Sequence, residues 1–244
     1  EAKEAEEAAM KAKAKAEGKP EPRKPQMAQR VSDGANYPCN LYNGMIAPLL
    51  NLQIQGAIWY QGESNVSRAV QYQSLFPAMI RNWRADFGQG ELPFHFVQLA
   101  PFGYNRNNPT ADKTPCAELW EAQLNTLRTV PRTGMAVTTD IGAIADIHPK
   151  NKQEVGRRLA LWALSHNYGK AGLVYSGPLY KEAKVEGGKI RVRFDHGAGM
   201  KARDGGALTH FTIAGADRKF VDAEAVVDGD SVVVRSAEVA QPVA

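Results

Sequence analysis

Two stretches carry residue types that could do chemistry together: Gln61-Gly62-Glu63-Ser64-Asn65 and Asp146-Ile147-His148. Gly62 can take a positive φ angle or let the backbone approach a ligand closely. Its N–H and the Asn65 amide are two neutral donors of the kind that stabilise a developing oxyanion. Gln61 and Glu63 flank them as further candidates for holding an oxyanion or a substrate. A histidine side chain ordinarily exchanges its proton near neutrality and a neighbouring carboxylate can fix its tautomer, so His148 with Asp146 beside it has the equipment of a general base. Each stretch also has a plain reading. The first is a strand followed by a polar turn, and the second is a helix-capping loop with Asp146 as cap and His148 on the surface.

The elements around these residues predict how they are positioned. Ala57-Ile58-Trp59-Tyr60 is a short, continuously apolar, β-prone run, as a buried parallel strand requires. Pro93–Leu99 and Met135–Thr139 read as two further buried strands. Between the first two of these strands, Tyr72, Phe76, Met79, Ile80, Trp83 and Phe87 recur at spacings of three and four, the stripe of an amphipathic helix. Pro77 inside that stripe predicts a kink or a fresh helix start. A second helix is expected from a Thr114 cap with Pro115 in its first turn, turning Trp120, Leu124 and Leu127 inward. A third helix follows His148, buries Val155, Leu159, Trp162 and Ala163, and ends near Gly169. Strand and helix alternate three times, which predicts an α/β fold with a mainly parallel, helix-covered sheet. Ligands of such sheets bind at the carboxyl ends of the strands, where both candidate stretches fall.

The remaining segments suggest three regions. Residues 1–17 form a charged Ala/Glu/Lys helix with almost nothing to bury, and Gly18–Pro25 is an extended Pro-rich linker. Residues 1–35 are therefore an arm and linker, and 36–175 the α/β domain. Residues 176–244 are a small β-rich module with strands Ile190–Phe194, Leu208–Ile213, Ala225–Val227 and Val232–Val234, and a hairpin turn at Asp228-Gly229-Asp230. The 244 residues carry 43% hydrophobic and 23% charged side chains, ordinary for a globular protein. The net charge of +4 is half in residues 1–30 and half in the rest of the chain, with no basic stripe to follow a phosphate backbone, so nucleic acid is not an expected partner. No apolar run is long enough to span a bilayer. The amino terminus is charged, lacks a signal peptide and does not begin with Met. Cys39 and Cys116 are expected as two buried thiols, with a single disulfide as the alternative. No histidine spacing suggests a metal, and no cofactor is expected. His95 reads as a satisfied core or edge side chain.

Trp59-Tyr60-Gln61-Gly62-Glu63-Ser64-Asn65 resembles the signature of the sialate O-acetylesterase family, carbohydrate esterases of the Ser-Gly-Asn-His (SGNH) hydrolase superfamily. Leu41-Tyr42-Asn43-Gly44-Met45-Ile46-Ala47-Pro48 resembles the segment preceding it in that family, and Asp146–Ala160 resembles the segment that holds its catalytic His. The resemblance covers roughly residues 36–244. It implies a three-layer, flavodoxin-like SGNH sheet, here incomplete because its first strand is missing, followed by the small β-rich module. It implies an acetylated carbohydrate as substrate, sialic acid or a related sugar, with acetyl xylan esterase-like deacetylation or non-catalytic sugar binding as alternatives. His148 is then the base, Asp146 the acid with Asp140 in reserve, and Gly62 and Asn65 the oxyanion donors, helped by Gln61. The superfamily often places its acid three residues before the His, where this chain has Ala145. The family's nucleophile lies in a Gly-Gln-Ser-Asn-type motif after the first strand, and no such motif occurs here. Ser64 occupies the family's non-nucleophilic Ser, and Ser32 and Ser67 have no motif around them. The expected parent is thus longer, secreted or periplasmic, and supplies the nucleophile from an amino-terminal segment that would complete this chain.

Overall fold

A computed structural model of the chain describes residues 34, 37–104 and 115–244. The arm expected over 1–17, the Gly18–Pro25 linker and the Thr114 cap lie outside the described residues. The described residues up to Gln53 group apart from Ile54–Ala244. In the first group, Tyr42–Ile46 forms a wide helical turn that runs into a 3-10 turn at Ala47–Leu49, with Pro48 in its first turn. Cys39 is exposed there and Cys116 is buried in the second group, both as free thiols. One of the two expected buried thiols is therefore on the surface.

The second group begins with an α/β layer. Strands β1 (Ala57–Trp59), β2 (Phe94–Val97) and β3 (Thr133–Ala136) form a parallel sheet in the order β1-β2-β3. Helices α1 (Ala69–Phe87), α2 (Pro115–Thr129) and α3 (Lys152–His166) alternate with them. Strand alternation sorts the sheet residues onto two faces. Phe94, Phe96 and Met135 pack with Tyr72, Phe76 and Ile80 of α1 and Leu119 and Ala122 of α2. Val97 and Ala136 pack with Val155 and Leu159 of α3 on the other face. Helices thus cover both faces of a parallel sheet, the α/β arrangement that the alternation predicts.

Some details differ from the sequence expectation. Ile58 belongs to the α3 face but is 73% exposed, so β1 is not buried on both sides. The cause is reach, because α3 packs against β2 and β3. Helix α1 runs unbroken through Pro77 to Gly88, whose left-handed conformation (φ 62°) ends it. Pro77 is itself buried in the core face, so packing outweighs the lost backbone hydrogen bond. Trp120, Leu124 and Leu127 are only partly buried. The deepest face of α2 is Leu119, Ala122, Gln123 and Thr126, two of them polar. Helix α3 stops at His166, three residues short of Gly169.

The outer edge of β3 is closed by side chains of α3. Trp162 donates its indole N–H to the Met135 carbonyl at 2.8 Å, and Arg158 donates to the Val137 carbonyl at 2.6 Å. Close packing here requires Gly134, since a Cβ at that position would lie 2.5 Å from His95 Nδ1 and 2.7 Å from the Trp162 ring. His95 is buried, and the Asn167 amide donates to its Nε2 at 3.2 Å. Its Nδ1 has no partner among the described residues, so only half of the expected satisfaction is met. Burial pushes the imidazole pKa down to about 4. The unfolded chain therefore takes up a proton near pH 6.5 that the folded state refuses until about pH 4. Stability should fall by about 3 kcal/mol as pH drops through that window. Urea denaturation at pH 7 and pH 4 checks this, and the same slope in His95→Leu would assign it elsewhere.

The carboxyl-terminal residues form two antiparallel sheets. Strands β4 (Leu179–Val185), β5 (Lys189–Asp195), β8 (Glu224–Asp228) and β9 (Ser231–Arg235) pair in the order β4-β5-β9-β8, and β6 (Thr212–Ala214) pairs with β7 (Phe220–Asp222). Ile190, Ile213, Ala225, Val232 and Val234 are their buried core. Gly229 (φ 63°) turns β8 into β9 at the Asp228-Gly229-Asp230 position. The strand expected over Leu208–Ile213 is shorter and later, with Leu208 making one isolated bridge to Ala225. Strand β4 was not expected, because its Lys181, Glu182 and Lys184 mask any alternation.

Candidate active site

Three loops leave the carboxyl ends of β1, β2 and β3 and meet at one edge of the sheet. The loop after β2 is tied to the loop after β3 by Thr138 Oγ1 donating to the Gln98 carbonyl at 2.8 Å. Gly103 N–H likewise donates to the Ile144 carbonyl at 2.9 Å. Lys152, the first residue of α3, sets its ammonium 4.6 Å from the centre of the Tyr60 ring. The start of α3, just past His148, therefore borders the turn that follows β1.

That turn is built by Gly62. Its φ of 147° favours glycine, and an added Cβ would lie 3.1 Å from Leu119 Cδ2. The chain then enters a 3-10 turn at Glu63–Arg68, closed by Asn65 N–H donating to the Gly62 carbonyl at 2.8 Å. The Gln61 amide donates to Asn65 Oδ1 at 2.7 Å, and the Tyr72 hydroxyl donates to Gln61 Oε1 at 3.3 Å. Among the described residues the Gly62 N–H and Asn65 Nδ2 have no acceptor. Gln61 is committed to Asn65. Glu63 lies near Tyr60, Tyr104 and Cys116. Burial is the main cause that raises the pKa of all three, the Cys116 thiol to about 11, and the Glu63 charge adds to each rise. The hydroxyls of Tyr60 and Tyr104 are buried with no partner among the described residues.

The Asp146–His148 stretch is more open. His148 is 87% exposed at its side chain and Asp146 45%. Asp146 Oδ1 accepts the His148 backbone N–H at 2.9 Å and lies 3.6 Å from Nδ1, close but longer than a hydrogen bond. Asp146 does not cap α3. That role belongs to Asn151, whose side chain accepts the Glu154 N–H at 3.1 Å. Asp140 is engaged elsewhere: Arg158 grips both its oxygens at 2.6 and 2.8 Å, and Arg203 reaches it at 2.6 Å. Chiefly through the Arg158 hydrogen bonds, its carboxyl is held well below the usual carboxylate range. Ser64 and Ser67 are exposed, with no imidazole partner among the described residues, and Ser32 lies outside them. Among the described residues, no three His, Cys, Asp or Glu side chains gather as a metal-ligand set.

Sequence reasoning missed two residues at this edge, Tyr72 and Gln123. Tyr72 is buried in the helix stripe but turns its hydroxyl onto Gln61. Gln123 is fully buried, accepting the Leu99 N–H at 2.9 Å and donating to the Val97 carbonyl at 3.2 Å. With Trp120, whose indole N–H donates to the Leu99 carbonyl at 2.6 Å, it fixes the chain as it leaves β2.

Residues 30–165 match the family described as carbohydrate esterase, sialic acid-specific acetylesterase. Sialate O-acetylesterase of Mus musculus is 31% identical over 182 residues, covering 67% of this chain and 33% of its own length. The Rattus norvegicus protein of the same name is 37% identical over 169 residues, covering 59% of this chain and 29% of its own length. The crystal structure of a carbohydrate acetylesterase from Xanthomonas citri superposes with a TM-score of 0.77 at 50% identity, covering 83% of this chain and 47% of that one. The chain thus spans about a third of the length of these curated relatives and about half of that structure.

Proposed function

Because the chain belongs to the sialic acid-specific acetylesterase family of carbohydrate esterases, we propose that it is the oxyanion-and-base part of a carbohydrate O-acetylesterase. The single observation that carries this is the pair of donors without an acceptor among the described residues, Gly62 N–H and Asn65 Nδ2, at the edge that also bears Asp146 and His148. A serine oxygen attacks the acetyl carbonyl carbon and His148 takes its proton. The two donors hold the negative oxygen, and His148 returns the proton to the departing sugar oxygen. Water then repeats the sequence on the acetyl-serine. Asp146 orients the ring of His148.

The nucleophilic serine belongs, in this reading, to a segment outside these 244 residues that also supplies the missing first strand. The support is that β1 has a strand neighbour on one side only among the described residues. The substrate is O-acetylated sialic acid or a closely related acetylated sugar, as the names of the relatives suggest.

Acetate release from 4-nitrophenyl acetate and from O-acetylated sialic acid tests the reading, on the complete protein and on this chain alone. The complete protein should release acetate from both and the chain alone from neither. Hydrolysis by the chain alone would place the nucleophile within it. Binding of the sugar by the complete protein without release would replace the esterase reading by a sugar-binding one.

A further inference from the structure

Tyr72 and Gln61 form the only side-chain relay among the described residues that ends on a candidate oxyanion donor. We propose that these two are positioning residues, which hold the Asn65 amide with its N–H2 end turned away from Gln61 and free for a ligand. The proposal rests on the reading of Asn65 as an oxyanion donor.

An Asn amide is two-faced, since one end donates and the other accepts. An oxyanion site built on Asn therefore works only if something selects the end presented. Here Asn65 Oδ1 is occupied by the Gln61 N–H2 at 2.7 Å, which leaves Nδ2 as the outward end. Gln61 has the same ambiguity, and Tyr72 resolves it. The Tyr72 hydroxyl is buried, and Gln61 Oε1 at 3.3 Å is the acceptor at hand for its proton. If Gln61 turned its N–H2 toward Tyr72, the phenol proton would be stranded in the core, at the cost of an unmet buried donor. Asn65 would then present Oδ1 to an anion and repel it. Burial also pushes the Tyr72 pKa up to about 12, so the selecting proton stays in place across the working pH range. One phenol proton thus sets Gln61, and Gln61 sets Asn65.

Two substitutions test the relay in different ways. Gln61→Glu keeps the shape but replaces the donor by a carboxylate, which draws Asn65 Nδ2 inward. Tyr72→Phe removes only the selecting proton. In 1H–15N spectra of this chain, Tyr72→Phe should move the side-chain amide signals of both Gln61 and Asn65 while the backbone signals of β1, β2 and β3 stay in place. In the complete enzyme, Asn65→Ala should lower kcat on the order of 100-fold or more. Gln61→Glu should approach that loss with KM and thermal midpoint little changed, and its kcat relative to wild type should recover as falling pH protonates the introduced carboxyl. Tyr72→Phe should cost about 5-fold in kcat, the equivalent of one ordinary hydrogen bond. A large loss in Asn65→Ala with wild-type kcat in Gln61→Glu overturns the relay and leaves the oxyanion reading standing. Unchanged kcat in Asn65→Ala overturns both.

Discussion

His148→Ala in the complete enzyme is expected to lower kcat by about 100- to 10,000-fold, the usual contribution of a general base, with little change in thermal stability. The reason for the second half is geometric. The His148 side chain is 87% exposed and packs into no core, so its loss opens no cavity. The reason for the first half is its place, on the loop that joins the Asp140 end of β3 to α3 at the edge bearing Gly62 and Asn65. Asp146→Asn should give a smaller loss, because Asp146 Oδ1 is 3.6 Å from Nδ1 and half open to water, which can take over part of the orienting role. Steady-state hydrolysis of 4-nitrophenyl acetate by the three proteins reads both effects. A His148→Ala enzyme within 3-fold of wild type would remove this residue from the proposed mechanism.

Gln123→Leu should be the most damaging single change to the fold among those considered. The leucine fits the volume but leaves the Leu99 N–H and the Val97 carbonyl unpaired in a fully buried setting. Each such group costs roughly 1–3 kcal/mol, so the total is about 2–6 kcal/mol. A domain of this kind has only about 5–15 kcal/mol to lose. Urea denaturation at neutral pH measures the difference, and a variant within 1 kcal/mol of wild type would show that the neighbouring backbone finds other partners. The effect should reach the site, because Val97–Leu99 launches the loop that packs on the His148 loop.

Much of this arrangement can be read in the sequence, and the exceptions share a cause. The strands at Ala57 and Phe94 are legible because parallel strands need continuous apolar runs, whereas the third, expected over Met135–Thr139, runs over Thr133–Ala136, its Thr-Gly start giving no apolar signal. The Gln61–Asn65 turn is legible because a Gly followed by small polar residues ends such a run abruptly. Gln123 escapes because periodicity counts apolar residues, whereas this glutamine is buried to satisfy backbone atoms from another element. Ile58 misleads for the converse reason: its type calls for burial, but whether α3 reaches it is a matter of tertiary placement. Strand β4 is hidden by the lysines and glutamate that face solvent, and Pro77 by a helix interior firm enough to absorb it. The engagement of Asp140 by Arg158 and Arg203 joins residues 18 and 63 positions apart, beyond any local pattern. Pairwise spacing nominates His148 and Asp146, but Asn151 as the true cap is visible only once the helix start is fixed.

The side chains of Trp162 and Arg158 that close the outer edge of β3 have a consequence for association. They occupy the carbonyls that an added strand would need, so the sheet is monovalent: among the described residues, only the β1 side can accept a neighbour. In the proposed complete protein the first strand takes that side, which leaves this sheet no side on which copies could add strand to strand.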